Sequence, residues 1–237
     1  MTSAALLLLA DSRLPAGGHG HSGGAEQAVR VGAITGPEDL ARFLQGRLAT
    51  TGLVTAALAA AARDLASTHR AGAPGAPEPA LDGRGGWREL DAEADARTAS
   101  PAQRGAARTQ GRLLLRSARR IWPSAALDAL AAAVPEGAHH PVVLGVVAEA
   151  AGCGSRDAAL AAAYTTITGP ATAAVRLLGL DPVVVHRVLA GLVPDLEGVA
   201  DAACVPLAWE ELPAHAAPVL DLLAEQHLRT EVRLFVS

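Results

Sequence analysis

The chain contains no lysine: all 20 of its cationic side chains are arginine, set against 24 Asp and Glu. Without lysine there is no Schiff base of the pyridoxal-phosphate kind. There is also no P-loop, whose lysine grips the nucleotide phosphates. The slight acidic balance, a net charge of −4 and a pI near 6.0, gives no cationic footprint for nucleic acid. Cysteine is almost missing. Cys153 and Cys204 are too few for a disulfide framework or a zinc ligand set, and they read as buried thiols in a reducing cytoplasm. Long hydrophobic runs are also missing. Leu6–Leu9 falls far below the ~20 residues that span a bilayer and has no basic region before it, so the expected location is cytoplasmic with no membrane partner. Aromatic residues make up only 3% of a chain that is 50% apolar, so its core must be built from Ala, Leu and Val.

Strand signals are scarce: there is no sustained alternation of apolar and polar residues and no Asn-Gly or Asp-Gly hairpin. Helix signals recur instead. Thr35-Gly36-Pro37-Glu38 and Ser100-Pro101-Ala102-Gln103 read as capping boxes with proline in the first turn. Asp181-Pro182 reads as an N-cap followed by the first helical residue, His140-Pro141 and Ser155 as further starts, and Gly152 and Gly179 as C-terminal caps. The expected fold is an all-α, single-domain bundle of about eight to ten helices over residues 1–237. Residues 71–86, rich in Gly, Pro and Ala, read as a flexible insertion, and Ala16–Gly24, with five glycines and two histidines, reads as a second loop.

Several groups could carry chemistry. Gly20-His21-Ser22-Gly23-Gly24 fits G-x-S-x-G, which makes a serine hydrolase using Ser22 the alternative function. That motif works only on a strand-to-helix turn, and Leu14–Gly18 does not read as a strand. His19 and His21 lie on one face of an extended loop and could together reach a metal, but two ligands do not complete a site. Arg104, Arg108, Arg112, Arg116 and Arg120 form a slanting cationic stripe, either a solvated face or a dock for an acidic surface. Glu89, Asp91, Glu93 and Asp95 read as a solvated face near a helix start. Gly169-Pro170 should kink or interrupt its helix. The segment His227–Ser237, with Leu234-Phe235 beside arginines, docks either on its own core or on another protein.

The pattern resembles the UreF family of urease accessory proteins. Leu14-Pro15-Ala16-Gly17-Gly18-His19-Gly20-His21-Ser22-Gly23-Gly24-Ala25-Glu26, then Ala28-Val29, Gly32 and Ile34-Thr35, is similar to its opening segment. Gln110–Leu114, His140–Gly145, Ala173–Leu177 and Arg233–Ser237 resemble its later segments in the same order. The family's aromatic pair falls on His19 and His21 here, its histidine on Gly23, and the penultimate arginine of its tail on Val236. The resemblance implies an all-α, dimeric scaffold without catalysis or a tightly bound cofactor of its own. Such a scaffold binds the UreD/UreH accessory protein, recruits the GTPase UreG and promotes nickel insertion into the urease apoprotein. The residues that it points to for partner contact are Glu26 with the glycine-rich loop, Arg176, and Arg229, Arg233, Leu234 and Phe235 of the tail.

Overall fold

Small side chains let helices approach closely, and this governs the layout. The computed structural model describes residues 4–70 and 85–237. Most of the expected insertion lies outside them; only Gly85 and Gly86 are described, and they open a helix. Among the described residues the chain folds into α-helices and short 3-10 and π turns, with no strand. Two single-turn helices come first: α1 (Ala5–Leu9) and α2 (Ala25–Arg30). They are too short to leave a periodic signature in the sequence. Next, α3 (Pro37–Arg47) passes through a π turn (Leu48–Gly52) into α4 (Leu53–Arg70). The others are α5 (Gly85–Ala96), α6 (Pro101–Ile121), α7 (Ala125–Ala133), α8 (His140–Ala150), α9 (Ser155–Leu178), α10 (Pro182–Gly191), α11 (Val193–Ala203) and α12 (Pro218–Leu228).

The core is organised around α8, which is buried from Pro141 to Glu149 and packs on α4, α6, α7 and α9. Gly145 lets α8 settle against α4; a Cβ there would collide with the Ala59 carbonyl. Gly111 does the same where α6 meets the Ala138 carbonyl. Each buried methyl contributes only about 0.8 kcal/mol. Cohesion therefore comes from the close approach of backbones, which multiplies dispersion contacts. On the edge of this core Trp87 is fully buried.

The helix ends obey the sequence with small shifts. The Ser100 and Asp181 side chains accept from the Gln103 and Val183 amides, as their positions suggest. Gly152 and Gly179 close helices at positive φ, where a side chain would be strained. In the first box Thr35 pairs with Asp39 and not with Glu38. His139, not His140, is the N-cap of α8. Pro170 does not interrupt α9, which runs on from Ser155 to Leu178. The proline leaves the Thr166 carbonyl without its usual helical donor, and Nε of Arg47 donates to it at 3.0 Å.

Only part of the acidic run on α5 is a solvated face: Glu89 is exposed, but Asp91 turns into the core. Asp91 is 4% exposed. Its Oδ1 accepts from the His139 amide (2.8 Å) and faces His139 Nδ1 (3.0 Å), and its Oδ2 accepts from Arg108 (3.0 Å). Asp95 lies one turn on, at i+4, and takes the other arm of Arg108. The relevant spacing is four residues, which puts both carboxylates on one side of the helix. The arginine stripe of α6 is correspondingly drawn inward over its first half. Arg104 donates to the carbonyls of Thr98 and Ala99, Arg108 holds Asp91 and Asp95, and Arg112 donates to the Glu136 carbonyl. Arg97 clamps the segment after α11 by donating to the carbonyls of Trp209, Glu210, Leu212 and Pro213.

Candidate functional site

Two stretches far apart in sequence meet in one joint. The glycine-rich loop is shaped by positive φ at Gly17, Gly23 and Gly24 and is tied to α6 by Ser117 Oγ donating to the Pro15 carbonyl. Against it lies the segment after α12. The amide of Val236 donates to the Gly20 carbonyl (2.7 Å), and the amide of Ser22 donates to the main-chain oxygen of Ser237 (2.5 Å). Glu26 on α2 completes the joint. Its Oε1 accepts from the Leu234 amide (2.7 Å) and its Oε2 from the Phe235 amide (3.0 Å). His227 sits 3.2 Å through Nε2 from the Phe235 carbonyl. Arg30 donates to the Val232 carbonyl (2.8 Å), and Arg176 stacks 5.0 Å over the Phe235 ring.

This geometry separates the residues that the sequence grouped together. Glu26 is 5% exposed and both of its oxygens are taken by the tail, so it positions the tail and is not itself displayed. Phe235 is buried as the tail's anchor. Arg176, Arg229, Arg233 and Leu234 are exposed. With Leu228, Val232 and Val236 they form a surface of apolar and cationic groups. Sequence reasoning placed Ser22 in the glycine-rich loop and His227 at the start of the tail but missed the bonds each makes in this joint, and it missed Arg30. The G-x-S-x-G motif drew attention to Ser22 for a different reason, and nothing marked Arg30.

Ser22 has no nucleophile geometry. It is fully buried, its Oγ donates to the Ser237 main-chain oxygen (3.0 Å), and Oγ also accepts from the Glu26 amide (3.3 Å). The neighbouring His21 directs Nδ1 at the Ser237 hydroxyl (2.6 Å). The hydrolase alternative therefore lacks both its strand and its free serine among the described residues. His19 is exposed on a 3-10 turn (Gly18–Gly20), whereas His21 turns to the tail. No cluster of three or more His, Cys, Asp or Glu side chains poised for a metal ion exists among the described residues.

Beside the joint opens a cleft of about 1010 Å³ walled by the glycine-rich loop, α9 and the tail. His21 and His140 both line it. Burial pulls the His140 pKa down to about 4, with the charge of His21 acting in the same direction. Burial also lowers that of His21.

Residues 34–193, well over half of the chain, match the family profile described as UreF. The chain belongs to the UreF family. It is 46% identical over 234 residues to the urease accessory protein UreF of Mycolicibacterium vanbaalenii, covering 99% of this chain and 98% of that one. It is 44% identical to that of Mycobacterium marinum, covering 100% and 99%, and 43% identical to that of Mycobacterium tuberculosis, covering 100% of both. These UreF relatives extend across the joint as well as the core, since the matched lengths include both the glycine-rich loop and the tail. No described helix of this UreF-family chain is long and apolar enough to cross a membrane.

Proposed function

We propose that this UreF-family chain acts as a non-catalytic scaffold in urease maturation. In this reading it works as one domain and as a homodimer in the cytoplasm. It binds the UreD/UreH accessory protein, recruits the GTPase UreG, and promotes the delivery of nickel to the urease apoprotein. Nickel is cargo here and not a resident cofactor. The observation that supports the reading best is the docked tail. Glu26 spends a buried carboxylate on holding two amides of an otherwise exposed segment. The outer side of that segment carries Leu228 at 55%, Val232 at 82% and Leu234 at 55% exposure. A soluble monomer gains nothing from fixing such groups in water, whereas an interface gains a preorganised apolar and cationic patch.

Co-purification tests the reading. The full chain is expected to co-elute with UreD/UreH at low salt, and removal of residues 229–237 should weaken the complex. Failure of the intact pair to co-elute at any ratio overturns the proposal; undiminished binding by the truncated chain removes the tail from it. Light scattering of the free chain is expected to give twice the monomer mass.

A further inference from the structure

Arg47 has a use that the scaffold reading does not supply. It ends α3 and reaches across to α9, where Nε donates to the Thr166 carbonyl. That bond fixes the plane of the guanidinium. The Arg47 side chain forms no ion pair and no second hydrogen bond among the described residues. It lines the cleft together with Gly23, and a Cβ at Gly23 would lie 3.2 Å from Nη2 and 2.9 Å from Cγ of Pro170. Gly23 also has φ of +58°. Glycine is therefore required there on two counts, and it keeps the space over the guanidinium open. Burial draws the pKa of Arg47 down to about 10, as befits a cation removed from water without a counter-charge.

The rest of the lining does not provide that counter-charge. Its side-chain carboxylates are Asp11 and Asp221; the main-chain carboxylate of Ser237 lines it too, held by the Ser22 amide and hydroxyl, and among the described residues none of the three forms an ion pair with Arg47. Asp11 is held in a fork by Arg13, and Asp221 accepts from Gln103. The other guanidinium closest to being buried, Arg97, is committed to loop carbonyls. Burial favours the uncharged forms of His21 and His140, so neither supplies the missing counter-charge.

A fixed guanidinium with free Nη groups, half-dry and unpaired, is complementary to a planar pair of oxygens. We propose that the cleft is a carboxylate-binding site in which Arg47 holds both ligand oxygens through its Nη groups. The carboxylate is carried either on a small free acid or on an acidic side chain of a segment entering the cleft. The site holds irrespective of whether the chain pairs with UreD/UreH.

The experiment follows the guanidinium resonances of the full-length, 15N-arginine-labelled protein. The additions are succinate, a capped hexapeptide rich in glutamate, and sodium chloride at matched ionic strength. Arg47 is expected to shift saturably with a carboxylate and not with chloride. Saturation by succinate assigns the small acid, and saturation by the peptide alone assigns an acidic segment. A variant without Arg47 has no such resonance, so variants are compared by calorimetric titration with the same additions. Arg47→Gln should abolish saturable binding, which Arg42→Gln, at an exposed position outside the cleft, should retain. No saturable shift with either carboxylate, or the same Kd in R47Q, overturns the site. If R47Q does not fold, Arg47→Lys keeps the charge but loses the fork. Its Kd should weaken by about tenfold or more, and an unchanged Kd overturns the proposal equally.

Discussion

Between α4 and α8 the contact is made by Ala59, Ala62, Gly145 and the buried valines of α8. Between α2 and the tail it is made by Glu26, Ser22, Arg30 and the amides and carbonyls of residues 232–237. The first contact rests on shape and excluded water, which reward any snug arrangement. The second rests on bonds of fixed direction, each aimed at a main-chain atom, so it permits one arrangement only. The core thus secures the fold, and the joint secures a single pose for one segment of it. The joint has little apolar area and should open long before the core does.

The largest effect is expected from forcing the core apart. Gly145→Val places branched carbons against the Ala59 carbonyl and should cost about 3 kcal/mol or more. Urea denaturation should show a lower midpoint or no folded baseline. Glu26→Ala strikes the joint instead. It leaves the amides of Leu234 and Phe235 unanswered, the second of them buried, which costs about 1–3 kcal/mol locally. Hydrogen exchange should accelerate at Leu234 and Phe235 while the α8 amides keep their protection. Equal acceleration in α8 would show that the two regions do not open separately.

A third prediction tests the boundary between the regions, where His140 of α8 faces the cleft. Its folded pKa lies below its unfolded value, so the unfolded state takes up the proton more readily. Stability should therefore be fully present above about pH 6.5 and should fall as the pH drops toward about 4. His140→Gln should flatten that limb by about 2 kcal/mol, read from denaturation midpoints at pH 4.5 and 7.5. The smallest effect belongs to Arg176→Gln, which removes the stack on Phe235. About 0.5–1 kcal/mol is expected, visible as a modest rise in exchange at Phe235 alone.

Much of the core could be read in advance because its logic is local. Ala and Leu at helical spacing, Ser100 and Asp181 before prolines, and Gly179 after a periodic run each act within one or two turns. The joint was legible only in outline. The glycine-rich loop, Glu26 and the terminal arginines drew notice through the family pattern, but nothing local says that Glu26 faces two amides 208 and 209 residues away. The buried acid–base group was missed for a similar reason. Asp91 belongs with Asp95 on its own helix and with Arg108 and His139 on others. Arg47 gave no signal at all, because its carbonyl partner on α9 is exposed to need only by a proline 123 positions along the chain.

That last pairing constrains how the sequence could have changed over time. With proline installed at 170 first, the Thr166 oxygen would have stood unanswered in a half-dry helix, at a cost of about 1–3 kcal/mol. With arginine installed at 47 first, a flexible side chain would merely have waited in the cleft. The passable route runs from arginine to proline, and a lineage that sheds the arginine inherits pressure to shed the proline too.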